Sequence, residues 1–199
     1  MDFEILLSIL MGIGLSAASG FRIFVPFLII SIASASGNLE LSETFNWIGT
    51  TPALITFSIA SVLEIGAYYI PWLDNLLDTI ASPAAVIAGI ILTASVVTDV
   101  SPLVKWVLAI IAGGGVAAVV QGSTGITRAA STTTTGGLGN PVVSSVELGG
   151  SILLSVLAVI IPLLAGIIVL FLIFYAVKTL FKKLKVRSGS EIINNQSKR

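Results

Sequence analysis

The first long apolar run of the chain contains the stretch GLSAASGFRIFVP, residues 14–26. The whole run, residues 3–36, would be roughly 50 Å long as one straight helix, whereas a membrane's hydrocarbon core is about 30 Å thick. Ser19-Gly20 and Pro26 predict a break, since both weaken a helix interior. At a break, Arg22 would lie beside exposed backbone amides and could bind an anion or pair with a carboxylate. In a continuous helix, Arg22 would instead lie at the far membrane surface.

The composition is that of an integral membrane protein. Of 199 residues, 55% are hydrophobic and only 10% are charged, against roughly a quarter charged in soluble domains. The mean hydropathy is +1.06. A net charge of zero gives no indication of a nucleic-acid partner. Cys and His are both absent, which excludes disulfides, thiol chemistry and the usual zinc and haem ligands. We therefore expect no metal site and no cofactor.

Three hydroxyl–proline pairs predict further helix starts, because Ser or Thr caps a helix and Pro fits its first position. They are Thr51-Pro52, Ser82-Pro83 and Ser101-Pro102, with predicted spans over residues 52–70, 83–98 and 102–121. Residues 142–181 form a second over-long apolar run, roughly 60 Å as one helix, with candidate breaks at Gly149-Gly150 and Pro162. The predicted fold class is an all-α membrane bundle of about five to seven membrane helices, some broken or re-entrant.

The transmembrane domain is predicted to cover residues 1–177, and its acidic start, MDFE, indicates a retained membrane segment. Residues 178–187, KTLFKKLKVR, carry five positive charges and no negative ones. This pattern predicts a basic amphipathic segment along the inner leaflet and a cytoplasmic C-terminus. Residues 188–199 are predicted to be a disordered tail. If residues 142–181 cross the membrane once, the Gly/Thr-rich stretch before them faces outside.

Glu64 lies about 18 Å along the helix predicted from residue 52. An ionised carboxylate at that depth costs at least a few kcal/mol, so it must be protonated, paired or beside a wet cavity. Ser61 and Tyr68 would share its face of the helix. Three interpretations stay open. Glu64 bonds a neighbouring helix as structural glue, it lines a substrate or ion path, or the span is misplaced.

Residues 121–141, QGSTGITRAASTTTTGGLGNP, carry a single charge, Arg128, between two apolar segments. On a helix, one face would carry Thr124, Arg128, Thr132 and Thr135. We favour a re-entrant or cavity-lining segment over a flexible external loop, because external loops seldom avoid charge for so long. Arg128 should then point inward and pair with an intramembrane carboxylate, either Glu64 or Glu147.

The predicted path for a substrate or ion follows the rare intramembrane charges and the polar residues near them. Its residues are Arg22, Glu64, Tyr68, Arg128, Thr132, Thr135 and Glu147. Trp72, Asp74 and Asp78 belong to an amphipathic segment, residues 72–80, predicted to lie at the membrane interface. The two aspartates are a weak signal for catalysis, since solvated helix faces often carry such a pair. We predict no catalytic residues and no enzyme activity.

Gly113-Gly114-Gly115 lie inside the span predicted over residues 102–121. Small residues let helix backbones approach closely in lipid. We favour close packing over the alternative, a local unwinding around a ligand.

Three stretches resemble a family of bacterial membrane proteins known as domain of unknown function 4126. They are GLSAASGFRIFVPFL, LEIGAYYIPWLDNLLDTIASPAAVIAG and RAASTTTTGGLGNPVVSSVELGG, and the resemblance covers residues 6–170. The middle stretch matches the family's acid, proline, two aspartates and proline at Glu64, Pro71, Asp74, Asp78 and Pro83. This chain has Tyr68-Tyr69 where many members have Asp-Lys. The resemblance implies a multi-pass protein of the bacterial inner membrane and no particular activity.

A small channel or transporter for an ion, small solute or lipid explains the intramembrane charges beside broken helices best. The alternative is a scaffold or accessory subunit whose charges pair internally and whose small-residue faces bind partner helices. An interfacial enzyme using Asp74 and Asp78 is the third and weakest hypothesis. Membrane lipids are the expected partners, together with a second copy of the chain and an ion or small solute.

Overall fold

The computed structural model describes residues 2–176 and 178, with the side chains of residues 2, 71, 72, 74–76 and 78 excepted. Over this part the chain forms eight α-helices and no strand. They are α1 (Asp2–Phe21), α2 (Phe24–Ala35), α3 (Thr51–Ala67), α4 (Pro71–Val96), α5 (Pro102–Leu108), α6 (Gly115–Thr135), α7 (Asn140–Ile160) and α8 (Pro162–Ala176). A 3-10 helix, Glu43–Gly49, precedes α3, and a π-helical turn, Ala109–Gly114, joins α5 to α6.

Several sequence predictions fall on residues outside this description. The basic segment at residues 178–187 lies there apart from Lys178, and so does the tail at residues 188–199. The side chains of Trp72, Asp74 and Asp78 also lie outside it. Their proposed interfacial positions stay predictions.

Within the part of the chain that the structure describes, four helical stretches are long and apolar enough to cross a membrane. They are Phe3–Phe21, Thr79–Val96, Pro102–Thr135 and Asn140–Ile160. A fifth is reached if Glu43–Gly49 and Thr51–Ala67, which meet at 65°, count as one broken span. The all-α membrane bundle with broken helices is therefore confirmed, and the predicted five to seven membrane helices are reached only at the lower limit.

Two of the three predicted helix starts lie where the hydroxyl–proline pairs place them. Ser101 caps α5 by accepting the N–H of Val104 at 3.4 Å, and Thr50, one residue earlier than predicted, caps α3. The start at Ser82-Pro83 is wrong, because Pro83 lies inside α4, which begins at Pro71. A proline removes only one backbone donor, and helices in membranes tolerate that loss where neighbouring groups satisfy the freed carbonyl.

The first apolar run is broken between Phe21 and Phe24, just after the predicted Ser19-Gly20 position. Pro26 lies in the first turn of α2, where its missing N–H costs nothing. The chain turns back at this point, and the hydroxyl of Ser31 in α2 donates to the carbonyl of Ile48 at 2.6 Å. The break leaves Arg22 between two helices.

The second run breaks at Ile161, directly before Pro162, and not at Gly149-Gly150. α7 runs antiparallel to α1, with the Ser151 hydroxyl donating to the carbonyl of Ala18 at 3.0 Å. α8 then runs back beside α1, from the contact of Gly166 with Leu10 towards Phe21. The described part of this run, residues 142–176, therefore forms two helices that run in opposite directions, and the sidedness derived from one continuous crossing loses its basis.

The Gly/Thr-rich stretch is the second half of a long helix. α6 continues to Thr135, and the turn that follows needs glycine, because Gly136 and Gly137 have φ of 64° and 89°. Residues 121–135 are therefore helical and not re-entrant, whereas the cavity-lining alternative agrees with Ser123, Thr124 and Thr127, which line a groove beside α7. Gln121, Thr124 and Arg128 are buried in this half-helix. Of the predicted face, Thr124 and Arg128 are therefore buried, whereas Thr132 is half-buried and Thr135 is exposed.

The centre of the bundle is held by close contacts among α1, α4 and the π-helical turn. The Ser16 hydroxyl donates to the Gly113 carbonyl, and the Thr93 hydroxyl donates to the Gly12 carbonyl at 3.1 Å. A methyl group on Gly113 would lie 2.6 Å from the carbonyl oxygen of Gly89. These contacts agree with the predicted close packing at this glycine.

We expect Gly113→Ala to destabilise the protein by about 1–3 kcal/mol, because the added methyl overlaps Thr93 and the Gly89 backbone. Gly115→Ala is the matched control, since a methyl there meets nothing within 4 Å and Ala favours the helix. Thermal unfolding in detergent measures both. Equal melting temperatures for the two variants would contradict the packing role.

The helix directions place two exposed segments at opposite ends of the bundle. The backbone N–H of Ser42, in the α2–α3 connection, donates to the Ser95 carbonyl at the end of α4 at 2.8 Å. The α6–α7 turn lies at the other end, beyond Arg22 and Arg128. Because the chain has no Cys, single cysteines report on each end.

An impermeant thiol reagent should label Asn38→Cys and Thr134→Cys from opposite sides of intact vesicles. Both positions are exposed, so both should react after detergent is added. Labelling of the two positions from the same side would refute the up-and-down order of the helices.

A buried charged centre at a helix break

Four side chains from distant parts of the sequence meet at the α1–α2 break. Arg22 is 1% exposed, Arg128 3%, Glu147 4% and Tyr68 5%. They come from the α1–α2 break, α6, α7 and the residue after α3, respectively. We call these four residues the charged centre. Such complete burial of ionised groups requires pairing.

Glu147 supplies a carboxylate to both arginines. The Arg128 Nε–H donates to one Glu147 oxygen at 3.1 Å, and Arg128 Nη2 pairs with the other. Arg22 Nη1 lies 3.4 Å from that second oxygen, and Arg22 Nη2 donates to the Ser144 carbonyl at 3.0 Å. The Arg128 contact is the two-bond arrangement that guanidinium and carboxylate groups favour. Arg128 thus points inward, and its carboxylate partner is Glu147 and not Glu64.

The Tyr68 ring contacts both guanidinium groups. Arg22 Cζ lies 3.9 Å from the Tyr68 ring centroid, and Arg128 Cζ lies 4.3 Å from it. The negative face of an aromatic ring attracts a cation, by about 2 kcal/mol or more when the pair is desolvated. The ring and the shared carboxylate together offset the repulsion between two buried like charges.

Glu64 holds the start of α2. Its two carboxylate oxygens accept the backbone N–H groups of Ile23 and Phe24, at 2.7 and 3.0 Å. These donors belong to the helix N-terminus, which attracts negative charge and has no cap of its own in the Ile23 side chain. Glu64 therefore connects α3 to α2 by accepting these two hydrogen bonds. Arg22 directly precedes the two donor residues in the chain.

The threonines of the predicted path are distributed differently. Thr132 accepts a hydrogen bond from the Asn140 amide at 3.2 Å, one helical turn beyond Arg128. Thr135 is exposed and accepts the N–H of Gly139 at 2.9 Å, so it belongs to the α6–α7 turn. Sequence reasoning missed Ser144, whose carbonyl binds Arg22. Its spacing of three residues before Glu147 could have placed it on the same helix face.

Two grooves border the charged centre. The α3–α4 groove, about 500 Å³, is lined by Ile23, Phe24, Ala60, Leu63, Glu64, Ala67, Tyr68, Leu77, Ile80, Ala81 and Ala84. The α6–α7 groove, about 360 Å³, is lined by Phe21, Ser123, Thr124, Thr127, Val142, Val143, Val146 and Glu147. Tyr68 faces the first groove and Glu147 the second. Within the described residues, no group of three or more acidic side chains could hold a metal ion.

We expect Glu147→Gln to destabilise the protein by about 3–5 kcal/mol, because it removes the carboxylate that both arginines share. Arg22→Gln should cost less, since Glu147 then keeps its two contacts with Arg128. Unfolding in detergent compares the variants. A larger loss for Arg22→Gln would show that Glu147 is not the shared anchor.

Comparison with known proteins identifies the family. A family model described as "Domain of unknown function (DUF4126)" matches residues 9–182, most of the chain. The match contains every residue of the charged centre and both grooves. No curated protein matches the chain, and no solved structure matches it.

Proposed function

We propose that this chain, which belongs to the DUF4126 family, is a channel or transporter whose path for an ion, small solute or lipid passes the charged centre. The observation that carries the proposal is the position of that centre, at a helix break and between two grooves. Charged residues at membrane depth are expensive, and they mark substrate paths in many membrane proteins. Broken helices commonly build such sites.

The charged centre would separate the part of the path in the α3–α4 groove from the part in the α6–α7 groove. Tyr68 belongs to the wall of the α3–α4 groove, and Glu147 to the wall of the α6–α7 groove. The ring and the carboxylate contact the same two arginines, so a solute that competes for one arginine loosens both walls. Exchange of an internal ion pair for a substrate contact would link the grooves without exposing an unpaired charge.

We infer that the protein spans a bacterial inner membrane with its C-terminus in the cytoplasm. The five positive charges of residues 178–187 support this orientation. Since α8 runs from Leu10 towards Phe21, the end of the bundle that holds Arg22 would then face the cytoplasm. The opposite end, with acidic residues Glu40, Glu43 and Asp99, would face outside.

A scaffold or accessory subunit is the second candidate. It is favoured by the pairing of Arg22, Arg128 and Glu147 within one chain, which a purely structural role would also need. Measured flux separates the two functions.

Purified protein in liposomes should conduct at least one of four probes above empty vesicles: potassium, nitrate, acetate or a fluorescent phosphatidylcholine. Val143→Trp should reduce that flux at least tenfold, because it fills the α6–α7 groove. Leu153→Trp is the matched control on α7, since Leu153 is 60% exposed and outside the groove. Absence of flux for all four probes would favour the scaffold.

A further inference from the structure

The N-terminus of α2 already holds a carboxylate, that of Glu64. Both Glu64 oxygens accept backbone N–H groups, from Ile23 and Phe24. The preceding residue, Arg22, is almost fully buried, and its Nε–H has no hydrogen-bond partner among the described residues. The Arg22 guanidinium also stacks on Tyr68, which lines the α3–α4 groove together with Ile23, Phe24 and Glu64. Helix end and cation together make an anion-binding position.

We propose that this position binds the carboxylate of a fatty acid and that Glu64 is its tethered occupant, displaced when the ligand enters. The further claim that fatty acids are the transported substrate rests on the proposed function. Binding itself is measured separately below.

The groove fits the remainder of such a ligand. Among the described side chains that line it, all are apolar apart from Glu64 and the Tyr68 hydroxyl. Its volume of about 500 Å³ lies within the range of about 300–1,000 Å³ that is typical of ligand pockets. α3 and α4 make few contacts with each other, so the groove opens sideways between them. An acyl chain from the membrane can enter there without crossing water.

The polar end of the site selects a monocarboxylate. Two adjacent N–H groups match the two oxygens of one carboxylate, as Glu64 demonstrates. A phosphate diester of a two-chain lipid is bulkier and would bring a second acyl chain to the groove. A ligand carboxylate and Glu64 would compete for the same donors and repel each other, so they cannot occupy the position together.

Photolabelling with a diazirine-bearing dodecanoate tests the proposal on the full-length protein in phosphatidylcholine nanodiscs. Wild-type protein should be labelled on residues of the α3–α4 groove. Excess dodecanoate should suppress this labelling, and methyl dodecanoate, which lacks the charge, should not. Glu64→Ala should increase labelling at least tenfold at low probe concentration, because the competing carboxylate is gone. Glu64→Gln should give a smaller increase, since its amide retains one acceptor.

Ala60→Trp fills the groove while leaving the carboxylate position intact, and it should abolish labelling. Ile59→Trp is its matched control, because Ile59 is the neighbouring residue, 56% exposed and outside the groove lining. The control also detects any general loss of folding.

Unchanged or reduced labelling of folded Glu64→Ala overturns the proposal, and so does equal suppression by acid and ester. Labelling elsewhere on the protein overturns it as well. Flux without groove labelling refutes the fatty-acid site and leaves the transport function standing. Groove labelling without flux of any probe, dodecanoate included, supports the site and refutes transport.

Discussion

The single carboxylate of Glu147 is the constraint on which the bundle depends. It is buried against two guanidinium groups that arrive from opposite halves of the chain, Arg22 and Arg128. Without it, both arginines would lose a buried carboxylate partner. The contact therefore fixes the α1–α2 break, α6 and α7 relative to one another. Tyr68 adds the end of α3 to the same point through its ring.

This arrangement explains how the break between α1 and α2 is stabilised. A helix end exposes backbone donors that lipid cannot satisfy. Here Glu64 satisfies two of those donors, at Ile23 and Phe24, while the Ser144 carbonyl binds the arginine between the helices. The break is thus stabilised by α3 on one side and α7 on the other. Each of these helices also borders a groove, and Glu64 both supports the break and lines the α3–α4 groove.

The sequence predicts the features that depend on local rules. The over-long run with Ser19-Gly20 predicts the first break within a few residues, and helical spacing predicts the inward face of Arg128. Local rules fail where tertiary contacts decide. Ser82-Pro83 carries a start signal, yet α4 continues through it. At Gly149-Gly150 the helix continues, and Gly150 approaches Phe21 of α1. That Glu64 caps α2 depends on two segments about forty residues apart, which no spacing within either one reveals.

The Gly/Thr-rich half of α6 also satisfies its polar groups within the protein. Its buried face is occupied by Gln121, Thr124 and Arg128. Its exposed hydroxyls donate to their own helix, as Ser123 does to Val119 at 2.8 Å and Thr127 to Ser123 at 2.9 Å. Hydroxyls satisfied in this way need neither water nor a charged neighbour. The part of this helix that lies within a hydrocarbon core about 30 Å thick can therefore contact lipid despite its hydroxyl groups. Arg128 is the one charged residue of the stretch, and it pairs with Glu147.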